Sequence, residues 1–298
     1  MGTEPPGSVF CSPTLSPMEL KDRVVVVTGG GSGIGEAFAQ AARAGGARHV
    51  VVADLNEAEA ARVAGAVGGT AVTLDVRDEA AIIAMVSSIE ANHGPIDVFM
   101  SNAGFVTTGG LEDSNERIQN MWEVHVLAHI YAARAVLPSM IARGEGYLLN
   151  TASAAGLLSQ IGSMSYSITK HAAVSLAEWL SISHHHQGIR VSVLCPQAVA
   201  TNIVANSPDA MGRAPGDGTS LDGGVAAGDG VRTSAEVAQA CVEALRTERF
   251  LVLPHPEVQT YMERKATDVD RWLTGMRRFQ TILAAGGPLP GDAIAPKF

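Results

Sequence analysis

Four consecutive valines, Val24 to Val27, run into Thr28-Gly29-Gly30-Gly31-Ser32-Gly33-Ile34-Gly35. A β-branched run has the composition of a buried strand, and the residues from Gly33 to Ala44 carry a helical pattern. The glycine-rich turn therefore joins a strand directly to a helix. Glycines let a backbone approach a bound group closely, and the unpaired amides of a first helical turn favour an anion such as pyrophosphate. The spacing is TGxxxGxG rather than GxGxxG, and a simple tight turn could use the same residues. Whichever it is, the turn commits the chain to a βα unit, whose natural setting is a parallel sheet covered by helices.

The rest of the chain repeats that grammar. Strands are expected at His49 to Asp54, Ala71 to Leu74, Asp97 to Ser101, Tyr147 to Thr151, Arg190 to Cys195 and Phe250 to Leu253. Helices are expected near Glu57 to Ala66, Glu79 to Asn92, Ile118 to Ala142, Ser165 to His184 and Ser234 to Arg246. The first six strands read as apolar throughout, the pattern of strands buried on both faces. The fold class is α/β, a doubly wound parallel sheet, and 298 residues suit one such domain. Residues 1–19, with four prolines, read as a disordered tail. Residues 20–255 read as the nucleotide-binding catalytic domain. Residues 256–298 read as a C-terminal helix and tail, with Val269, Trp272, Leu273, Met276, Phe279 and Leu283 on one apolar face. That face suits packing on the domain or on a sister subunit, or less simply an interfacial membrane helix. Pro208 to Gly230 has no periodicity and reads as a mobile loop, either a lid or disorder.

Composition excludes several functions. With 21 Lys+Arg against 30 Asp+Glu, net charge −9, the chain has no basic excess for nucleic acid. Its uninterrupted apolar runs are too short for a membrane span, and its first residues do not read as a secretory or transit signal. Cys11, Cys195 and Cys241 are widely spaced, so neither a disulfide framework nor a cysteine zinc site is expected, and the reading is a cytoplasmic protein. No metal site is expected: His184-His185-His186 are consecutive on a helix end and point about 100° apart.

Two groups of residues carry chemistry. Asp54 closes the second strand about 20 residues after the glycines, where a carboxylate can accept hydrogen bonds from both adenosine ribose hydroxyls and repel a 2′-phosphate. It could instead cap the following helix. With no cation at Gly30, Gly31, Ser32, Leu55 or Asn56, NAD is favoured over NADP. The second group is Ser153, Tyr166 and Lys170. Tyr166 and Lys170 lie four apart on one helix face, so an ammonium beside the phenol, with a cofactor's positive ring, would lower the tyrosine pKa and make it a usable acid–base group. Ser153, ending the preceding strand, could hold the reacting oxygen.

With TGGGSGIG at Thr28 to Gly35, Asn102-Ala103-Gly104 after the fourth strand, and Ser153 thirteen residues before a Tyr-x-x-x-Lys pair, the chain resembles the short-chain dehydrogenase/reductase family from about Leu20 to Leu253. The resemblance implies a single Rossmann domain with a seven-stranded parallel sheet of order 3-2-1-4-5-6-7, NAD(P)-dependent alcohol or ketone oxidoreduction, and a homodimer or homotetramer. It implies cofactor contacts from Gly29, Gly31, Ser32, Gly33, Ile34 and Gly35 in the turn, from Asp54 and Leu55 at the ribose, and from Asp75 with Val76 at the adenine. Asn102, Ala103 and Gly104 would stabilise the central strand beside the cofactor. Tyr166 and Lys170 would face the nicotinamide end, and Pro196, Val199 and Thr201 would grip the carboxamide.

Two positions depart from the family. His125 stands where the family usually has an asparagine that supports a proton-relaying water; the imidazole could relay protons itself or mark a less active site. Pro196-Gln197 replaces Pro-Gly. The reading is hydride transfer between NAD and a secondary alcohol or ketone, with Ser153, Tyr166, Lys170 and His125 as catalytic residues. Leu157, Leu158, Ile161 and Met164 suggest a hydrophobic substrate. The alternative is a catalytically weak NAD-binding regulator or scaffold. A sugar-nucleotide epimerase or dehydratase would want a larger C-terminal substrate domain.

Overall fold

The computed structural model describes residues 17–201, 203, 207, 228–284, 287 and 288. The expected tail and the expected loop at Pro208 to Gly230 therefore lie outside the described residues, apart from 17–19 and 228–230. Met18 and Leu20 are buried in the core, so the packed domain starts earlier than the expected boundary at residue 20.

Seven parallel strands form the sheet: β1 (Val24–Thr28), β2 (His49–Asp54), β3 (Thr70–Thr73), β4 (Val98–Ser101), β5 (Gly146–Thr151), β6 (Ile189–Leu194) and β7 (Leu251–Val252). Their order is β3-β2-β1-β4-β5-β6-β7. Val25 of β1 lies between Val50 of β2 and Val98 of β4, and all five residues of β1 are buried. The chain reverses its direction of travel across the sheet between β1 and β4, the crevice where doubly wound sheets bind ligands. β3 is not apolar throughout as expected: it is the edge strand, and Ala71 and Thr73 are exposed.

Helices cover both faces: α1 (Gly33–Ala44), α2 (Glu57–Val67), α3 (Glu79–His93), α4 (Asn115–Arg143), α5 (Met164–His184) and α6 (Ser234–Thr247). α6 starts on a capping box between Thr233 and Glu236. α4 is by length and composition apolar enough to cross a membrane, at a mean hydropathy of 1.3 over its best window. Its Ala132, Val136 and Met140 pack into the core beside α3 and the sheet. A π-helical turn at Glu123–Leu127 interrupts it. Such turns insert one extra residue and redirect side chains, here at His125.

After β7 the structure holds two helices where one was expected, α7 (Glu257–Thr267) and α8 (Val269–Ala284). Asp268 separates them and accepts the Arg271 amide at 2.9 Å. Val258 of α7 is fully buried with Leu158 and Ala154, and Trp272 of α8 packs against the same cluster. Val269, Leu273 and Phe279 of the expected apolar face stay exposed, as does Ile282.

Candidate active site

The C-terminal ends of β1, β2, β4 and β5 carry the site. At the first, Gly29 has φ +61, a left-handed conformation, and a Cβ there would lie 2.8 Å from the Ala103 Cα. A Cβ on Gly35 would lie 2.2 Å from the Gly29 carbonyl oxygen. The turn and the start of α1 therefore nest with no room for side chains at these two positions. Among the described residues Ser32 gives α1 no side-chain cap, which suits its first amides to another partner. A cavity of about 300 Å³ opens beside Gly33 and Ala37, with Ala200, Thr201 and Ser234 on its other wall.

Asp54 faces this turn. Its carboxylate accepts the Gly31 amide and the Asn56 amide, each at 2.9 Å. The cap of α2 is a different residue, since Asn56 accepts the Glu59 amide. Leu55 is exposed beside it. A cation that local sequence inspection missed also reaches the turn: Arg62 of α2 donates to the Gly31 carbonyl at 3.1 Å while paired with Glu36 and Glu59. Asp75 is bound by Arg77, whose guanidinium approaches to 2.6 Å and holds the carboxyl below its ordinary pKa. Val76 is at the edge of the core.

Asn102 stitches three strands together. Its side-chain amide donates to the Thr28 and Gly29 carbonyls at 3.2 and 3.3 Å, and its oxygen accepts from Thr151 at 3.1 Å. The Asn102 and Ala103 amides both reach the Thr28 hydroxyl. Gly104 sits where a Cβ would approach His125 Nε2 to 3.2 Å and Lys170 Nζ to 3.7 Å.

Ser153, Tyr166 and Lys170 come together as expected. Ser153 accepts the Ala155 amide at 3.1 Å and donates toward the Pro196 carbonyl at 3.4 Å. Lys170 Nζ lies 5.6 Å from the Tyr166 ring centroid and donates to the Thr151 carbonyl at 3.0 Å. All three are buried. The electrostatics of the protein alone are set by burial. Burial pushes the Tyr166 pKa above 10, against an opposing hydrogen bond from Ser153. Burial also lowers Lys170 to about 8. In the protein alone desolvation thus outweighs the Ser153 interaction at the tyrosine.

His125 projects from the π turn, fully buried, edge-on to Tyr166 at 5.6 Å between ring centroids. Its Nε2 accepts the Phe105 amide at 3.2 Å, which assigns the proton to Nδ1, and Nδ1 donates to Thr169 Oγ1 at 3.1 Å. Thr169 in turn donates back into α5, to the Ser165 carbonyl at 2.9 Å. Burial and the Lys170 charge hold the imidazole well below its usual pKa. One turn later lies His129, also buried and lowered to about 3, with neither ring nitrogen hydrogen-bonded among the described residues. The sequence reading missed Thr151, Thr169 and His129. The signal for His129 was its spacing of four from His125, which places both on one face of α4.

Val199–Ala200 pairs in parallel with Arg232–Thr233, and the Thr201 side chain meets Gly33 across the cavity. Leu157 and Leu158 pack against Val258, Tyr261 and Trp272 of the C-terminal helices. Ile161 and Met164 are half-buried. His184 donates to Gln187 at 2.6 Å.

The family model for short chain dehydrogenases matches residues 23–212. A 1-deoxy-11-beta-hydroxypentalenate dehydrogenase from Streptomyces exfoliatus is 33% identical over 264 residues, 85% of this chain and 90% of that protein. A meso-2,3-butanediol dehydrogenase from Serratia marcescens is 33% identical over 195 residues, 64% of this chain and 77% of that protein. A solved short chain dehydrogenase/reductase from Burkholderia phymatum, in complex with NAD, superimposes with a TM-score of 0.74 at 30% identity, over 85% of this chain and 96% of that one.

Proposed function

The chain belongs to the short-chain dehydrogenase family, and from that premise we propose that it moves a hydride between NAD and a hydrophobic secondary alcohol or ketone, with Tyr166 as the proton-transferring group. One observation carries the reading: a buried tyrosine, its pKa drawn down by the Ser153 hydroxyl against burial, one helical turn from a buried lysine, at the strand ends beside a glycine-rich turn. When bound, NAD accepts or donates the hydride at its nicotinamide ring.

The residues present fit that cofactor. The side-chain-free turn at Gly29 to Gly35 and the uncapped start of α1 suit a pyrophosphate. Asp54 suits the ribose, since its carboxylate already faces the turn and accepts the Gly31 amide. Leu55, Asp75 and Val76 follow as the adenosine end. Asn102, Ala103 and Gly104 form the wall between the two ends. Pro196, Val199 and Thr201 run from Ser153 to the turn as the nicotinamide end. In the reaction Ser153 holds the substrate oxygen, Tyr166 gives or takes its proton, and Lys170 binds the nicotinamide ribose and favours the phenolate once the bound cofactor adds its positive charge. His125 is assigned as a neutral positioning group rather than the relay, because both its nitrogens are occupied by protein atoms.

The hydrophobic substrate is supported by Ile161 and Met164, half-buried just before Tyr166 in the chain, and by a relative named for hydroxypentalenate. Self-association as a homodimer or homotetramer is supported by Ile168, Trp179 and Ile182, exposed along one face of α5. A cytoplasmic location is supported by Cys195 and Cys241, both free and buried.

The test is a panel of secondary alcohols and ketones with NAD or NADP, followed at the reduced-nicotinamide absorbance. Asp54→Ala is expected to weaken NAD by about tenfold or more, for loss of charge-assisted ribose hydrogen bonds, and to narrow the preference over NADP because Arg62 stays beside the turn. Tighter binding of NADP than NAD by the wild type would overturn the cofactor assignment. Turnover of no substrate by a protein that binds NAD would favour a regulator.

A further inference from the structure

Gln197, the residue that stands where the family usually has glycine, is tied by its side chain to a group outside the nucleotide-binding elements. Its Nε2 donates to Asp229 Oδ2 at 2.9 Å, and Tyr261 of α7 donates its hydroxyl to Asp229 Oδ1, also at 2.9 Å. One carboxylate therefore joins the segment after β6 to the C-terminal extension. The Gln197 amide adds a bond to His255 Nδ1 at 3.2 Å. The Arg232 amide, three residues beyond Asp229, bonds the Ala198 carbonyl at 3.0 Å.

The position of this segment gives the bridge its meaning. At one end the Pro196 carbonyl accepts the Ala154 amide at 2.9 Å, directly behind Ser153. At the other, the Thr201 methyl stands 3.1 Å from where a Gly33 Cβ would be. Six residues thus span the distance from the reacting serine to the glycine-rich turn. α7 is itself fixed on the segment that follows Ser153, since Lys265 donates to the Leu157 carbonyl at 2.6 Å and Val258 is fully buried against Leu158.

We propose that Gln197, Asp229 and Tyr261 form a bridge by which the C-terminal extension positions segment Pro196–Thr201 against the nicotinamide half of the cofactor; this rests on the dehydrogenase reading above. Two neutral donors on one carboxylate make charge-assisted bonds, stronger than those between neutral groups. The donors cannot be exchanged freely. A glycine at 197 supplies no side chain, and a carboxylate there meets Asp229 as a like charge. The bridge acts on position alone and leaves proton transfer to Tyr166.

The test uses the full-length protein and two ligands, NAD and ADP-ribose, the latter lacking the nicotinamide. Calorimetric titration of Gln197→Glu is expected to show NAD weakened by about tenfold, with ADP-ribose within about twofold of wild type. Adding Asp229→Asn to Gln197→Glu restores a donor–acceptor pair and is expected to return NAD affinity to within about twofold of wild type. Tyr261→Phe keeps the ring packing and removes one bond. It is expected to weaken NAD by about fivefold and leave ADP-ribose unchanged, which keeps the idea testable should the glutamate variant fold poorly. Equal weakening of both ligands, unchanged NAD affinity in Tyr261→Phe, or no recovery in the double variant overturns the bridge. A wild type that binds neither ligand overturns the dehydrogenase reading instead.

Discussion

The two halves of this site are built from different materials. At the glycine end, β1, the turn and α1 present backbone: the fit depends on absent side chains at Gly29 and Gly35 and on amides aimed at Asp54. At the tyrosine end, β5, α4 and α5 bury four titratable side chains, with Tyr166 raised, Lys170 lowered to about 8, His125 lowered and His129 lowered to about 3. Backbone geometry does not titrate. The comparison teaches that the cofactor end should respond to volume and scarcely to pH, whereas the reacting end should respond to charge and hydrogen bonding.

The largest expected effect tests the reacting end. Tyr166→Phe keeps the buried ring and removes the hydroxyl, so turnover is expected to fall by at least about 10² with NAD affinity nearly unchanged. Steady-state kinetics with a verified substrate, beside an NAD titration, separate the two quantities. Retention of most of the wild-type rate would remove Tyr166 from the mechanism.

The glycine end breaks differently. In Gly35→Ala the new methyl meets the Gly29 carbonyl oxygen at 2.2 Å and the Asn102 side-chain nitrogen at 2.7 Å. The first is backbone, and the second is held by bonds to β1 and β5, so neither yields easily. A loss of about 2 to 3 kcal/mol in unfolding free energy is expected, with weakened NAD binding, and the deficit should be the same at pH 6 and pH 8. Denaturant unfolding at both pH values measures it, and a stable variant with native NAD affinity would show that the turn has slack.

The fold was legible because its signals are local. Valine runs, the spacing of glycines and the helical period each lie within one element, and the strand order followed from the family that those motifs identify. What stayed illegible was set by tertiary placement. Thr28, Thr151 and Thr169 are unremarkable threonines in sequence, yet the fold brings the first two to Asn102 and the third to His125, across separations of 44 to 74 residues. Arg62 reaches the turn from 31 residues away. α7 escaped because Val258, Tyr261 and Met262 are sparse among charged residues, and its stability comes from docking on Leu158 rather than from its own pattern. The upward push of burial on the Tyr166 pKa in the protein alone was not legible, because a pattern of residue types says nothing about how deeply they are buried.

A smaller effect sharpens the contrast in pH response. His129 has a folded pKa of about 3 against about 6.5 in an unfolded chain, so below pH 6.5 the unfolded state takes up a proton that the native state refuses. Its contribution to stability is fully present above pH 6.5 and is lost as the pH falls toward 3. Between pH 7 and pH 5 the loss is about 2 kcal/mol. Urea unfolding of wild type and His129→Leu at the two pH values isolates this share. The variant should lose about 2 kcal/mol less than wild type over that interval, and equal losses would show that His129 is not held neutral in the native state.

The smallest effect concerns His125. Were this imidazole the proton relay, it would have to change charge during turnover, and a group titrating near 6.5 would add an acidic limb to the rate profile. The geometry argues otherwise: Nε2 is filled by the Phe105 amide, Nδ1 by Thr169, and burial beside Lys170 keeps the ring neutral across the working range. Its work is to fix the end of the Asn102–Gly104 strand exit against α5, one residue from Thr169 to Lys170. Replacing it with the shorter family residue, His125→Asn, gives up at least one of two hydrogen bonds and is expected to lower kcat by about fivefold. The shape of the pH–rate profile between pH 5.5 and 7 should be unchanged, since no ionisation has been removed. A profile whose acidic limb disappears in His125→Asn would make the histidine a titrating partner of Lys170, and the reacting end would then take its protons through α4.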